Sequence, residues 1–188
     1  MMNRLMMAVA ALAMVGCSGS MNGTVGGVSL NVADAIFAVL KDDAGKSFAA
    51  IVAMSDKPKM CETLKANRET KSSTLIVFTM FRYNSGATEF LSPDVGEYTV
   101  VDSPPNNGGN FANSNFTRND SDCRQTVATD AAKGKSGLIK LTGIKAETNG
   151  NANGTYDITF GAGDKVTGSF NATYCDISKL PTADPNCE

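Results

Sequence analysis

Three runs near the C-terminus constrain this chain most: "GLIKLTGIKA", "GTYDITFG" and "KVTGSFNATYC", residues 137–146, 154–161 and 165–175. In the middle run Tyr156, Ile158 and Phe160 fall on one side, while Thr155, Asp157 and Thr159 fall on the other. A period of two puts alternate side chains on opposite faces of a strand, so each run reads as a strand with one buried face. Val166, Phe170, Ala172 and Tyr174 repeat the pattern in the third run. The linkers "ETNGNAN" and "AGD" carry the Asn, Asp and Gly chemistry of tight turns. The region therefore reads as an antiparallel meander.

Upstream, "STLIVFTMFRY" is apolar on both sides, the mark of a strand covered on both faces, and places Leu75 to Phe81 at the centre of the fold. "SFAAIVAMS" and "EYTVVD" read as shorter strands, and "GVSLNVADAIFAVLK" as two alternating halves: Val28, Leu30 and Val32, then Ala35, Phe37 and Val39. One helix interrupts them. "SDKPKMCETLKANRE" opens with capping residues, places Pro58 in its first turn and continues in helix formers to Arg68. Cys61 and Leu64 share a face of it, which points the cysteine toward a strand partner. The expectation is an all-β fold: an antiparallel β-sandwich of about nine strands with one short crossover helix and two disulfides.

The N-terminus carries an address. Arg4 precedes an apolar run from Leu5 to Val15, too short to span a bilayer at roughly 20 residues and suited to a cleaved signal peptide. Met14-Val15-Gly16-Cys17 resembles the bacterial lipobox, with Met where Leu is usual three residues before the cysteine. That resemblance implies cleavage before Cys17, a diacylglycerol and a fatty acyl group on Cys17, and stable membrane anchoring by two or three chains. Ser18 resembles the outer-membrane sorting pattern. The resulting organisation is a signal peptide over 1–16, a lipidated Ser/Gly tether over 17–24 and one β-sandwich domain over 25–188, with the domain either facing the periplasm or exposed at the surface.

Four cysteines follow Cys17: Cys61, Cys123, Cys175 and Cys187. An even number in an exported chain reads as two disulfides. The absence of CxxC excludes the common zinc and thioredoxin-type patterns. Three pairings are open. The preferred one joins Cys61 to Cys123 and Cys175 to Cys187, because the latter pair would pin the tail "DISKLPTADPNCE" to the end of a strand.

Chemistry is sparse. The sequence has no His, which removes Ser-His-Asp and Cys-His nucleophile pairs and histidine-ligated zinc, and no Trp, which removes the usual stacking platform for sugars. A net charge of −2 lacks the basic stripe that a nucleic-acid partner requires. "AGKS" and "GKSG" carry the Lys-Ser ending of a phosphate loop without its first glycine, since Leu40 and Thr129 hold those positions. No catalytic residue and no metal site is assigned. The long polar stretch "VDSPPNNGGNFANSNFTRNDSDC", residues 101–123, reads as a loop and the first place to look for a ligand, with Phe111 and Phe116 as candidate contacts. Asp120 and Asp122 could supply oxygen ligands to calcium, but Arg124 breaks the EF-hand pattern.

"GEYTVVD", "SGLIKLTGI", "GTYDITFG" and "VTGSFNATYC" together resemble the uncharacterised β-rich lipoproteins of gliding, predatory bacteria. The resemblance implies a β fold and an envelope location and carries no catalytic residue. The expected function is a non-enzymatic binding or assembly module, lipid-anchored in the outer membrane, without a cofactor beyond its lipid. Its partners would be the membrane and an envelope protein. The alternatives are a carboxylate-based hydrolase of envelope polymers and a small-ligand or glycan binder.

Overall fold

The computed structural model describes residues 18–84, 89–103, 105, 108–178 and 185–188. The principal strands are β1 (Gly19–Asn22), β2 (Asp34–Lys41), β3 (Ser47–Ser55), β5 (Thr74–Tyr83), β7 (Gly96–Val100), β8 (Gly109–Arg118), β9 (Gly134–Ile144), β10 (Asn151–Phe160) and β11 (Lys165–Tyr174). The short strands β4 (Arg68–Glu69), β6 (Phe90–Leu91) and β12 (Asn186–Cys187) and one helix, α1 (Met60–Lys65), complete the described elements.

The sheet is not a sandwich. Strands β11, β10, β9, β7, β8, β5, β3 and β2 pair in that order, and β2 pairs back onto β11 to close an eight-stranded barrel. Closure is parallel, Thr173 opposite Ile36 and Tyr174 opposite Phe37. A second parallel contact joins β7 to β8 at Thr99–Phe111 and Val100–Ala112. The alternation that suggested a sandwich holds strand by strand, because either architecture asks each strand to bury one face. The two differ only in whether the outermost strands meet, and those pairings join residues more than a hundred positions apart.

Eight strands enclose an interior just wide enough for side chains to fill. Phe37, Met54, Ile76, Phe78, Met80, Tyr98, Phe116, Ile139, Leu141, Ile158 and Phe160 fill this one and are excluded from solvent. Val25, Leu30, Val127 and Ala132 join the same cluster from outside the strands. The expected strand over Val28 to Val32 is thus irregular chain, with Leu30 buried and Val28 bridged to Val25. Tyr98, the largest fully buried side chain, satisfies its hydroxyl on Asp94, donating to the carbonyl at 2.6 Å and accepting from the amide at 3.1 Å.

The barrel's stagger leaves part of β11 without a neighbour from β2, and β1 takes that place. Gly19 to Asn22 run antiparallel to Phe170 to Thr167, so four of the eight residues expected to form a Ser/Gly tether over 17–24 are a strand. Cys17 itself lies outside the described residues. Close approach requires glycine at position 168. A Cβ there would come within 2.0 Å of the Ser20 carbonyl oxygen and 2.6 Å of the Tyr156 hydroxyl oxygen.

The helix is shorter than expected. Lys59 adopts a left-handed conformation before Met60, and Asn67, also left-handed, follows the end of α1, so Pro58 precedes the helix. No side chain caps α1 from its own N-cap; Asp34 of β2 instead accepts the Met60 amide at 2.8 Å. The helix lies on the outside of the wall, where Met60 packs with Ile36, Ala53 and Cys175 in a second apolar cluster beside Leu75 and Val77. This cluster covers the outer face of β5, as its two-sided apolarity anticipated.

Both disulfides form, with pairings other than the preferred one: Cys61 with Cys175 and Cys123 with Cys187. Barrel closure is the reason. It brings the end of β11 beside β2, and α1, tied to β2 through Asp34, carries Cys61 to meet Cys175 just after β11. Cys187 instead follows β12 onto β4.

Candidate functional site

A groove of about 400 Å³ opens between α1, the β4–β12 ribbon and the outer wall of the barrel. Its size falls within the range of small-ligand sites, roughly 300–1,000 Å³. Apolar lining comes from Pro58, Met60 and Leu64 on the helix side, Leu75 on β5 and Pro185 ahead of β12. Lys57, Arg68, Glu69, Asn119 and Gln125 supply polar groups.

The two disulfides hold opposite sides of this frame. Cys61–Cys175 fixes α1 against the barrel, and Cys123–Cys187 fixes the C-terminal residues against the segment that follows β8. The ribbon adds backbone bonds: the Asn186 amide donates to the Asn67 carbonyl at 2.9 Å, and the Glu188 amide to the Glu69 carbonyl at 2.8 Å. Arg68 pairs with Glu188 at 2.8 Å on the rim, where both side chains are half exposed and the pair adds little stability.

Asn119 is the unusual residue of the groove. It is 95% buried, its amide nitrogen Nδ2 donates to Glu69 Oε1 at 2.8 Å, and its backbone amide donates to the Ser73 carbonyl at 2.8 Å. Its Oδ1 is buried without a protein hydrogen-bond partner. Glu69, able only to accept, fixes which end of the amide faces it. A buried acceptor left unpaired costs about 1–3 kcal/mol unless something donates to it. The groove can therefore take an apolar body; Oδ1 is shut off from solvent, so an N–H or O–H group has to open a path to it to relieve that cost.

A second depression, about 310 Å³ and mostly polar, lies where β8 runs on past the end of β7. Asp102, Asn113, Asn115, Lys133 and the buried Ser114, whose Oγ also lacks a partner, line it. Lys135 bonds Asp102 at 2.7 Å and holds its carboxyl below the usual carboxylate range. Among the described residues each cavity is lined by one carboxylate, Glu69 or Asp102. Neither presents the pair that acid–base hydrolysis of a glycosidic bond uses.

The residues singled out from sequence are dispersed. Residues 101–123 are not one long loop, because Gly109–Arg118 is strand β8 and lies between β5 and the short β7. Phe116 points into the barrel against Phe160, and Phe111 stacks outward on Phe81 with ring centroids 5.1 Å apart. Exposures of 1% and 3% leave neither as a contact for a partner. Asp120 uses Oδ1 to accept the amides of Asp122 and Arg124, which hold its carboxyl low, and Asp122 pairs with Arg124 at 3.5 Å. Among the described residues no group of three or more His, Cys, Asp or Glu side chains is placed to hold a metal. Asn119 escaped sequence reasoning because nothing local distinguishes it from the other asparagines around it.

Comparison with known proteins finds no matching family, no matching curated protein and no matching solved structure.

Proposed function

We propose that this chain is a non-enzymatic binding module, anchored in the outer membrane through lipid on Cys17, that takes a ligand with an apolar body and a hydrogen-bond donor into the α1–β4 groove. The buried, unpartnered Oδ1 of Asn119 carries the ligand reading. Arg4, the apolar run to Val15 and the Gly16-Cys17-Ser18 junction support the anchor. Two disulfides suit an oxidising compartment outside the cytoplasm. The assembly version of this reading has the ligand group belong to an envelope protein; the small-ligand version has it free in the periplasm or medium.

A photo-crosslinking amino acid placed at Leu64, an exposed residue of the groove, tests it in intact cells. The expected result is a defined adduct at Leu64, absent when the probe stands at Lys140, exposed on β9 three strands round the barrel from β5, together with release of the Cys17→Ser chain from the membrane. Equal labelling at both positions, or none at Leu64, overturns the groove. Undiminished membrane attachment of Cys17→Ser overturns the anchor.

A further inference from the structure

The chain is locked into the barrel from the first described residue. The Asn171 amide donates to the Ser18 carbonyl at 2.8 Å, the strand register starts at Gly19 opposite Phe170, and the Tyr156 hydroxyl donates to the Ser20 carbonyl at 2.8 Å. Consecutive Cα atoms lie about 3.8 Å apart, so Cys17 stands one peptide unit from the sheet. A free tether over residues 17–24 would have reached roughly 25 Å, at about 3.3 Å for each extended residue. No such reach exists.

From this we infer that the wall formed by β1, β10 and β11 rests directly on the lipid headgroups of the membrane that holds the Cys17 lipid. The inference deepens the anchor reading and rests on it. A lipid chain on Cys17 must enter the bilayer from the residue beside Ser18, and the nearest protein surface has to follow it down.

That surface is chemically suited to the position. Its outward side chains near Ser18 include Ser20 on β1, Asn171 and Thr173 on β11, and Asn151 and Thr155 on β10. All are uncharged hydrogen-bonding groups, and Asn151 already donates to Asn171 at 3.1 Å. Such groups exchange water for headgroup phosphates and carbonyls without burying a charge, which would be costly. The charged pair of this wall, Lys165 with Asp157 at 3.1 Å, is self-neutralising and sits further along the strands.

The absence of Trp from the chain makes the test clean, because a single introduced Trp reports alone. Lipidated full-length protein carrying Thr173→Trp, or Thr155→Trp should the first variant fold poorly, is compared with Asn115→Trp. Residue 115 lies on β8, four strands round the barrel from β11 in either direction. Each variant is reconstituted in phosphatidylethanolamine–phosphatidylglycerol vesicles bearing headgroup nitroxides. The expected result is loss of most of the emission from position 173 or 155 and little loss from 115. A flexible Gly/Ser insertion of about ten residues between Cys17 and Ser18 should erase the difference. Equal quenching of both positions in protein whose intact mass shows the lipid overturns the flush placement alone. A difference that survives the insertion overturns the short connection as its cause. An intact mass without lipid overturns the anchor reading and this inference together.

Discussion

Tyr156 on β10 reaches across Gly168 of β11 and donates its phenolic hydrogen to the Ser20 carbonyl of β1 at 2.8 Å. The bond ties three strands at the point where β1 joins the barrel. Burial pushes the Tyr156 hydroxyl well above the ordinary tyrosine range, which favours the protonated form that donates.

Tyr156→Phe removes that bond and keeps the ring. The expected loss is about 1 kcal/mol, with amide hydrogen exchange accelerated in residues 19–22 more than elsewhere. Gly168→Ala should cost more, about 3 kcal/mol or beyond, because its Cβ would meet backbone on one side and the Tyr156 ring on the other. Unchanged exchange of β1 in Tyr156→Phe would show that the strand is held by its ladder alone, and unchanged exchange in Gly168→Ala would contradict the close approach of β1 at that position.

Phe116 and Asp122 come from the same polar stretch and should behave oppositely. Phe116→Ala empties part of the barrel interior and should cost about 3–5 kcal/mol in urea unfolding. Asp122→Ala removes an exposed side chain from a long ion pair and should stay within about 0.5 kcal/mol. Similar costs for the two would contradict the placement of β8.

This pair also marks where sequence reasoning reached and where it stopped. Ile76, Phe78 and Met80, like Tyr156, Ile158 and Phe160, alternate with enough apolar bulk to declare strands, and the structure buries them all. In β8 the inward residues are Ala112, Ser114 and Phe116, of which only Phe116 has apolar bulk, while the other large residue, Phe111, faces outward among Asn113, Asn115 and Thr117. The alternation was present and its amplitude was low. β1 has Met21 as its one sizeable inward side chain, and it owes its place to a gap beside β11 that no local pattern announces. Closure between Ile36 and Thr173, and with it the partner of Cys61, is a property of the whole sheet. The groove is later still in this order, since it exists only once the helix, the C-terminal residues and the wall are assembled.

The disulfides should differ in what they protect. Closing loops of 114 and 64 residues gives similar chain-entropy contributions, about 4–5 kcal/mol each. Packing separates them. Cys175 is 1% exposed among Ile36, Ala53 and Met60, whereas Cys187 lies on an exposed edge. The double variant Cys61→Ser with Cys175→Ser should therefore lower stability further than Cys123→Ser with Cys187→Ser. Loss of Cys123–Cys187 should chiefly speed hydrogen exchange in β4 and β12 and weaken whatever occupies the groove. Equal losses from the two variants would mean that the outer cluster under α1 contributes nothing.

Stability against pH should be flat through the neutral range and fall at its ends. With no His in the sequence, no side chain of ordinary pKa titrates between about pH 5 and 8. Carboxyls of Asp120, Asp102, Asp176 and Glu89 are held below their usual values, chiefly by hydrogen bonds from backbone amides in Asp120 and Asp176 and from lysines in the other two. A depressed folded-state value means stability that is present above the unfolded value, about 4, and lost as pH falls through the folded one. On the basic side Lys46 and Lys145 are raised by Glu89 and Glu147, so their contribution is complete below the unfolded lysine value, about 10.4, and disappears as pH rises through the folded one. Asp120→Asn isolates one of these groups, because an amide oxygen can accept the Asp122 and Arg124 amides at any pH. Urea midpoints followed from pH 7 to pH 2 should decline less steeply in Asp120→Asn than in the parent chain. An identical acid limb would show that the turn at Asp120 opens before its carboxyl is protonated.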